Sequence, residues 1–269
     1  MHINCGTDNE GPTSKLIRLD LQSMQFENLS KMMNRREWFC LTNVDDSIYA
    51  IGGAYMDISL NTGERYDISK NQWYDIEPMS KRRSSAGIAT VNSVIYVMGG
   101  FDGSKVLDSV EAYNTRTGKW KKIPNMSVER SDSKAVGMNG KLYVVGGRNG
   151  DWLELKSGEC YDPANRRWER LPDMKHSRAD FCLTVVDGQL FAAGGIDESG
   201  STKRTTEYLN KFTNTWVEVG ELPSPRFGFV TLSVPVKALG KDNISEYREL
   251  CILNDAETAS STSSGIEMD

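Results

Sequence analysis

Short apolar runs that stop at a pair of glycines recur four times along the chain. They read "SIYAIGG", "VIYVMGG", "KLYVVGG" and "QLFAAGG". Each run has the length of a strand and is rich in aromatic and β-branched residues, so the pattern predicts four β-strands. The first glycines of the pairs are 47, 47 and 48 residues apart. The pairs are Gly52-Gly53, Gly99-Gly100, Gly146-Gly147 and Gly194-Gly195.

Three other residue types keep this period. An arginine stands 16 residues before each pair: Arg36, Arg83, Arg130 and Arg178, with Arg226 as a further copy. A tryptophan follows the first glycine by 21 or 22 residues: Trp73, Trp120, Trp168 and Trp216. A glutamate stands nine residues before each tryptophan: Glu64, Glu111, Glu159 and Glu207. A period near 50 with glycine and aromatic residues is typical of a β-propeller, in which each repeat forms one four-stranded blade.

The remaining strands of each blade can also be placed. The segments "WFCLTNV", "SAGIATV", "SKAVGMN" and "DFCLTVV" precede the glycine runs, and their small residues suit the crowded wall of a central channel. Turns containing Asp46, Asn92, Asn139 and Asp187 predict tight hairpins between first and second strands. The third strand carries the glutamate and the fourth begins at the tryptophan. The predicted blades span about residues 36–78, 83–125, 130–173 and 178–222.

The repeated residues are expected to serve the fold. A glycine has no Cβ, so a glycine pair lets the chain turn with positive φ or pass close to a neighbouring blade. In the third strand Glu64 and Tyr66 share a face, and a glutamate beside a packed ring needs a hydrogen-bonding or charged partner. The repeated arginines are the obvious candidates, which predicts a structural Glu–Arg or Glu–backbone network, with a direct functional role of these glutamates as the alternative.

Both ends of the chain resemble parts of one further blade. In "SKLIRLDLQSMQFENL", Phe26 lies ten residues before Arg36, in the position of the tryptophan. After Arg226, "GFVTLSVPV" and "RELCILND" read as first and second strands. We therefore predict a fifth, composite blade from residues 15–30 and 226–253, with an incomplete propeller that pairs with another chain as the alternative. Residues 1–14 are predicted to be flexible and 254–269 to be disordered.

Composition narrows the classes of function. The chain has 269 residues and a net charge of -5, which argues against nucleic acid as a partner. No apolar run approaches a membrane span, and the N-terminus "MHINCGTDNEGP" has no features of a secretory signal. We expect a cytoplasmic protein, with the nucleus as an alternative, and reduced thiols at Cys40 and Cys182.

Nothing in the sequence predicts catalysis. Only two histidines are present, His2 and His176, and there is no Cys-x-x-Cys motif or phosphate-binding glycine loop. We therefore expect no catalytic residues, no metal, no cofactor and no enzymatic activity.

The repeat resembles the kelch motif, and the segment "FDGSKVLDSVEAYNTRTGKWKKIPNMSVER" is similar to the kelch-like family of ubiquitin-ligase adaptors. The resemblance covers about residues 15–234. It implies a propeller that captures a protein substrate, whereas a BTB domain and a BACK region of that family dimerise and bind a cullin. We expect the BTB and BACK parts to be missing from this chain, so a BTB-containing relative is the implied partner. An actin-binding scaffold is the alternative, and an enzyme comes third.

The resemblance also implies a binding face, formed by the connections between fourth and first strands and between second and third strands. Two residues after each repeated arginine the sequence varies, as it does directly after each glycine pair. Similar propellers hold acidic peptides there with arginines and serines, whereas Asp132 and Asp180 suit a mixed or basic ligand. Trp152 is either an interface anchor or packed against a neighbouring loop. The predicted face comprises Arg36, Trp38, Tyr55, Arg83, Ser85, Phe101, Arg130, Asp132, Arg148, Trp152, Arg178, Asp180 and Arg226.

Overall fold

The computed structural model describes residues 2–4, 7–8, 11–20, 23 and 25–228. The described residues form β-strands and turns and include no helix able to cross a membrane. The N-terminal strands are β1 (His2–Asn4), β2 (Thr7–Asp8), β3 (Gly11–Pro12), β4 (Leu16–Leu19) and β5 (Phe26–Leu29). Strands β2 and β3 pair with each other.

Four antiparallel four-stranded sheets follow, one for each repeat, and we number them blades 1 to 4. Blade 1 contains β6 (Cys40–Val44), β7 (Ser47–Ile51), β10 (Gly63–Asp67) and β11 (Gln72–Ile76), with a small hairpin of β8 (Ala54–Tyr55) and β9 (Ile58–Ser59). Blade 2 contains β12 (Gly87–Val91), β13 (Val94–Met98), β14 (Val110–Asn114) and β15 (Lys119–Ile123). Blade 3 contains β16 (Lys134–Met138), β17 (Lys141–Val145), β18 (Gly158–Asp162) and β19 (Arg167–Leu171). Blade 4 contains β20 (Cys182–Val186), β21 (Gln189–Ala193), β22 (Thr205–Asn210) and β23 (Thr215–Glu221).

The first strands of successive blades lie side by side, β6 against β12, β12 against β16 and β16 against β20. Small residues make this approach possible. The Thr42 and Thr90 hydroxyl oxygens are 3.0 Å apart across β6 and β12. A Cβ on Gly137 of β16 would lie only 2.2 Å from the Thr90 carbonyl oxygen. These contacts confirm that the first strands form the inner wall of an all-β propeller.

The apolar core lies between the blades rather than within one of them. Each of the four buried clusters combines residues of two neighbouring sheets; one joins Tyr49 and Ile51 of blade 1 to Ile95 and Tyr113 of blade 2. The repeated tryptophans also link neighbouring sheets through hydrogen bonds. Each indole N–H donates to a backbone carbonyl in the segment that follows the last strand of the preceding sheet. The Trp120 indole, for example, donates to the Glu77 carbonyl at 2.6 Å. Each blade is therefore stabilised mainly by its neighbours.

The cysteines are among these buried residues. Cys40 and Cys182 occupy equivalent positions at the start of β6 and β20, and both are buried cysteines outside any disulfide. Burial raises the pKa of Cys40 to about 12, which keeps the thiol protonated and unreactive.

The N-terminal sheet contains two of the strands predicted for the composite blade. Strands β4 and β5 pair as the predicted third and fourth strands, but β1 lies on the other side of β4, where "RELCILND" was expected. Strands also occur within residues 1–14, where the sequence predicts no element. Phe26, at the position of the repeated tryptophan, is 67% exposed. The C-terminal strands predicted after Gly228 and the tail at 254–269 lie outside the described residues.

Candidate functional site

Four of the predicted face residues are in the interior. Arg36, Arg83, Arg130 and Arg178 are at most 1% exposed. Each guanidinium forms an ion pair with the glutamate of its own repeat, at N–O distances between 2.9 and 3.3 Å. Each also donates to the carbonyl of the first glycine of its own pair. The predicted Glu–Arg network is thus confirmed, whereas the placement of these arginines on the binding face is wrong, since buried side chains cannot contact a partner.

The network joins each blade to the next. The second glycine of each pair donates its N–H to the carbonyl of the following repeat's arginine; Gly100 and Arg130 are an example, at 2.7 Å. Gly100 has a φ of +89°, and a Cβ there would lie 2.7 Å from the Ser84 carbonyl oxygen. Glycine is therefore required by both backbone conformation and space. Arg226, the fifth copy, accepts the equivalent bond from Gly195 at 2.7 Å, and it is only partly buried.

A chain of backbone hydrogen bonds crosses the start of the inner strands. The position two residues after each repeated arginine donates its N–H to the carbonyl of the equivalent residue in the preceding repeat, at 2.7–3.1 Å. All residues in this chain have positive φ, between +49° and +65°. They are Trp38, Ser85, Asp132, Asp180 and Gly228. We call them the mouth residues, because the first strand of each of blades 1 to 4 begins two residues later.

A pocket of about 440 Å³ lies among these residues. Its wall includes the mouth residues of all four blades, and the residues that directly follow the glycine pairs of blades 1 to 3. Its volume is within the range of about 300–1,000 Å³ found for ligand sites. The lining residues are Trp38, Ala54, Asp57, Ser59, Ser84, Ser85, Phe101, Ser131, Asp132, Arg148, Trp152 and Asp180. We call it the mouth pocket.

The charges in the mouth pocket are centred on Arg148. Its Nη1 lies 2.9 Å from Asp132 Oδ2, and its Nε lies 3.1 Å from Glu154 Oε1. The same Nη1 is 3.8 Å from Asp180 Oδ2, which is too far for a hydrogen bond. Two carboxylates thus hold the guanidinium, and a third is close to it without being bound.

Two carboxylic acids beside the mouth pocket have raised pKa values. Burial raises the pKa of Asp180, and repulsion from Asp132 raises it further, whereas Lys134 and Arg148 act in the opposite direction. Burial, followed by repulsion from Asp57, raises the pKa of Glu37. Burial is the larger cause for both acids, and repulsion from a neighbouring carboxylate adds to it.

Exposed aromatic residues border the pocket. Trp38 is 59% exposed and Trp152 is 52% exposed. Trp152 packs with one side against Phe101, at 5.6 Å between ring centroids, as the packing alternative predicts, and its role as an interface anchor stays a prediction. The same two rings border a second depression of about 420 Å³, which also includes Lys105, Asp108 and Glu129.

The sequence reasoning missed three exposed apolar side chains on this face: Met56, Ile58 and Leu153. They lie beside the predicted residues Tyr55 and Trp152. Met56 stands in the two-residue turn between β8 and β9, with a φ of +48° that non-glycine residues rarely adopt. The signal that could have found them is the absence of a repeated counterpart in "AYMDISL" and "NGDWLEL".

His176 lies away from this site. His176 Nε2 lies 3.0 Å from Glu218 Oε2, in an exposed pair away from the pocket lining. Within the part of the chain that the structure describes, no group of three or more histidine, cysteine, aspartate or glutamate side chains could hold a metal ion.

Comparisons with known proteins agree with this architecture. The family model described as "Kelch motif" matches residues 39–80, 82–127, 129–175 and 177–223. The chain therefore belongs to the kelch-motif family. A solved structure titled "Structure of YjhT" is similar with a TM-score of 0.75 and 15% sequence identity, over 84% of this chain and 82% of that one. This similarity shows the fold alone, and no match was found among curated proteins.

The propeller fold and the surface around the mouth pocket indicate the class of protein. Kelch propellers generally bind protein ligands. The surface formed by the fourth-to-first and second-to-third connections of the blades, which we call the loop face, contains the mouth pocket and its exposed aromatic residues.

Proposed function

We propose that this chain is a non-enzymatic recognition module that captures a protein ligand on its loop face. One observation carries the proposal: large apolar side chains are exposed around a pocket on that face. Six of them are 37–71% exposed, and they are Trp38, Tyr55, Met56, Ile58, Trp152 and Leu153. Exposed apolar patches of this kind mark interaction sites, and aromatic anchors supply much of the binding energy.

The repeat-specific residues support this assignment. The residues that all repeats share are taken up by the fold, as the buried pair of Arg130 and Glu159 illustrates. Other residues at the pocket differ between repeats, as Ser85 and Asp132 or Phe101 and Arg148 do. A partner would therefore contact different side chains on different blades.

We further propose that the captured protein is a substrate of a cullin-RING ubiquitin ligase in the cytosol. The similarity of the repeats to kelch-like adaptors supports this role, in which a BTB-containing relative would supply the link to the cullin. The loop face combines exposed apolar side chains with the charged residues of the mouth pocket, and such a combination fits a substrate-binding surface.

The test is affinity purification of the tagged chain from cells treated with a proteasome inhibitor, followed by mass spectrometry. The variant Trp152→Ala removes a central anchor, and Phe212→Ala is its matched control, since Phe212 is 86% exposed in the turn between β22 and β23. We expect a cullin and a BTB protein with the wild type, and loss of the substrate with Trp152→Ala only. Recovery of actin without a cullin would favour the cytoskeletal alternative. Identical recovery by both variants would contradict ligand capture on the loop face.

A further inference from the structure

The mouth pocket has more negative than positive charge. Its lining contains the carboxylates of Asp57, Asp132 and Asp180 and one guanidinium, that of Arg148, for a net charge of -2. Arg148 is bound to Asp132 and, behind the lining, to Glu154. Among the described residues, neither Asp57 nor Asp180 accepts a hydrogen bond from a cationic side chain, and the ion pair of Asp180 with Arg148 is long, at 3.8 Å. The pocket can therefore accept one further positive charge.

The aromatic walls favour the same sign of charge. The indoles of Trp38 and Trp152 both line the pocket and are more than half exposed. Tryptophan is the side chain with the strongest attraction for a cation over its ring face, within about 6 Å of the ring centroid. Carboxylates and open indole faces thus occur in one cavity.

Building on the proposed function, we infer that the mouth pocket binds an arginine side chain of the partner protein, with the guanidinium paired with Asp180 and stacked against the indoles of Trp38 and Trp152. Arginine fits better than lysine, because its planar guanidinium stacks on aromatic rings, is weakly hydrated and donates two parallel bonds to a carboxylate. An acidic side chain would add a further negative charge to a pocket that already has a net charge of -2.

Ligand chemistry can be tested with four pools of fluorescein-labelled short peptides whose central residue is arginine, lysine, glutamine or glutamate. Flanking positions are randomised among uncharged residues, and binding to the intact chain is measured by fluorescence anisotropy. We expect the arginine pool to bind about tenfold more tightly than the glutamine pool and the glutamate pool to bind least. Equal binding of the arginine and glutamine pools, or tighter binding of the glutamate pool, would overturn the inference. Equal binding of the lysine pool would overturn the choice of arginine.

The variant Asp180→Asn tests whether the Asp180 carboxylate binds the guanidinium of the ligand. Its matched control is Asp187→Asn, because Asp187 has nearly the same φ, +49° against +51°, and lies in the turn between β20 and β21 at the other end of the inner strand. We expect Asp180→Asn to weaken binding of the arginine pool about tenfold and Asp187→Asn to leave it unchanged. An unchanged affinity in Asp180→Asn would contradict the inference.

Failure of the ligand class and failure of the proposed function give different results. If all pools bind equally and Trp152→Ala abolishes that binding, the loop face captures peptides but the arginine assignment is wrong. If no pool binds, the proposed recognition function is contradicted together with the assignment.

Discussion

Arg130 and Arg148 belong to the same repeat but have opposite environments. Arg130 is fully buried and bound to Glu159 and to the carbonyl of Gly146. Arg148 is partly exposed in the mouth pocket, between Asp132 and Glu154. The first position is arginine in every repeat, whereas the second is Ala54, Phe101, Arg148 or Ile196. The contact between blades therefore requires an arginine, whereas the position on the loop face accepts side chains of different size and charge.

Removing the buried arginine tests this difference most severely. Arg130→Ala leaves Glu159 buried without its cation, and breaking such a pair costs about 3–5 kcal/mol. Arg148→Ala at the pocket should cost less, about 1–2 kcal/mol, because solvent still reaches its ion pairs with Asp132 and Glu154. Urea denaturation measures both values. Similar losses for the two variants would contradict the separation of roles, and Arg130→Lys should fall between them if Arg130→Ala does not fold.

The glycine pairs allow the contact between blades to be tested by itself. A Cβ on Gly99 would lie 2.2 Å from the carbonyl oxygen of Arg130, whereas a Cβ on Gly140 would meet nothing within 4 Å. Their φ values are similar, +65° and +75°. Gly140→Ala should cost about 1 kcal/mol through backbone strain alone, and Gly99→Ala about 3 kcal/mol through strain plus the clash. The measurement is the melting temperature of each variant. Equal melting temperatures for Gly99→Ala and Gly140→Ala would show that the neighbouring blade does not restrict Gly99.

On the loop face, the same kind of truncation should change binding but not folding. Trp152→Ala removes an anchor that is 52% exposed, and we expect a loss of about 2 kcal/mol in ligand binding, roughly thirtyfold in Kd. Its melting temperature should stay near that of the wild type, because the substitution leaves the positive φ unchanged. Anisotropy and differential scanning fluorimetry measure the two effects. A large fall in melting temperature would assign Trp152 to the fold.

The smallest expected effect concerns pH. Because the pKa of Asp180 is raised in the folded protein, its ionised form weakens the fold at neutral pH, and its proton is bound more tightly than in the unfolded chain. Asp180→Asn should therefore be more stable than Asp187→Asn at pH 7, by less than about 1 kcal/mol. The difference should vanish as the pH falls below about 4, where both states of the wild type are protonated. A difference that persists at low pH would have another cause.

The period of the sequence was sufficient to predict the blades, their hairpins and the Glu–Arg network, since all depend on contacts that recur. The period did not predict which way an individual side chain points. Arg83 and Ser85 are two positions apart, yet a turn with positive φ at Ser85 separates a buried side chain from one that lines the pocket. The neutralisation of Asp132 by Arg148 also could not be read from the chain, because it joins two connections of one repeat. Pairing of β1 with β4 follows no repeat and gave no signal.

The backbone hydrogen bonds between the mouth residues have a consequence for engineering. Main-chain atoms alone form that chain of bonds, so the side chains attached to it can be exchanged without altering the links. Tryptophan, serine, aspartate and glycine already occupy equivalent positions. Left-handed backbone favours glycine, asparagine and aspartate, so other residues there cost about 1 kcal/mol each. The same scaffold therefore offers a set of graft positions from which a library of new peptide binders could be selected.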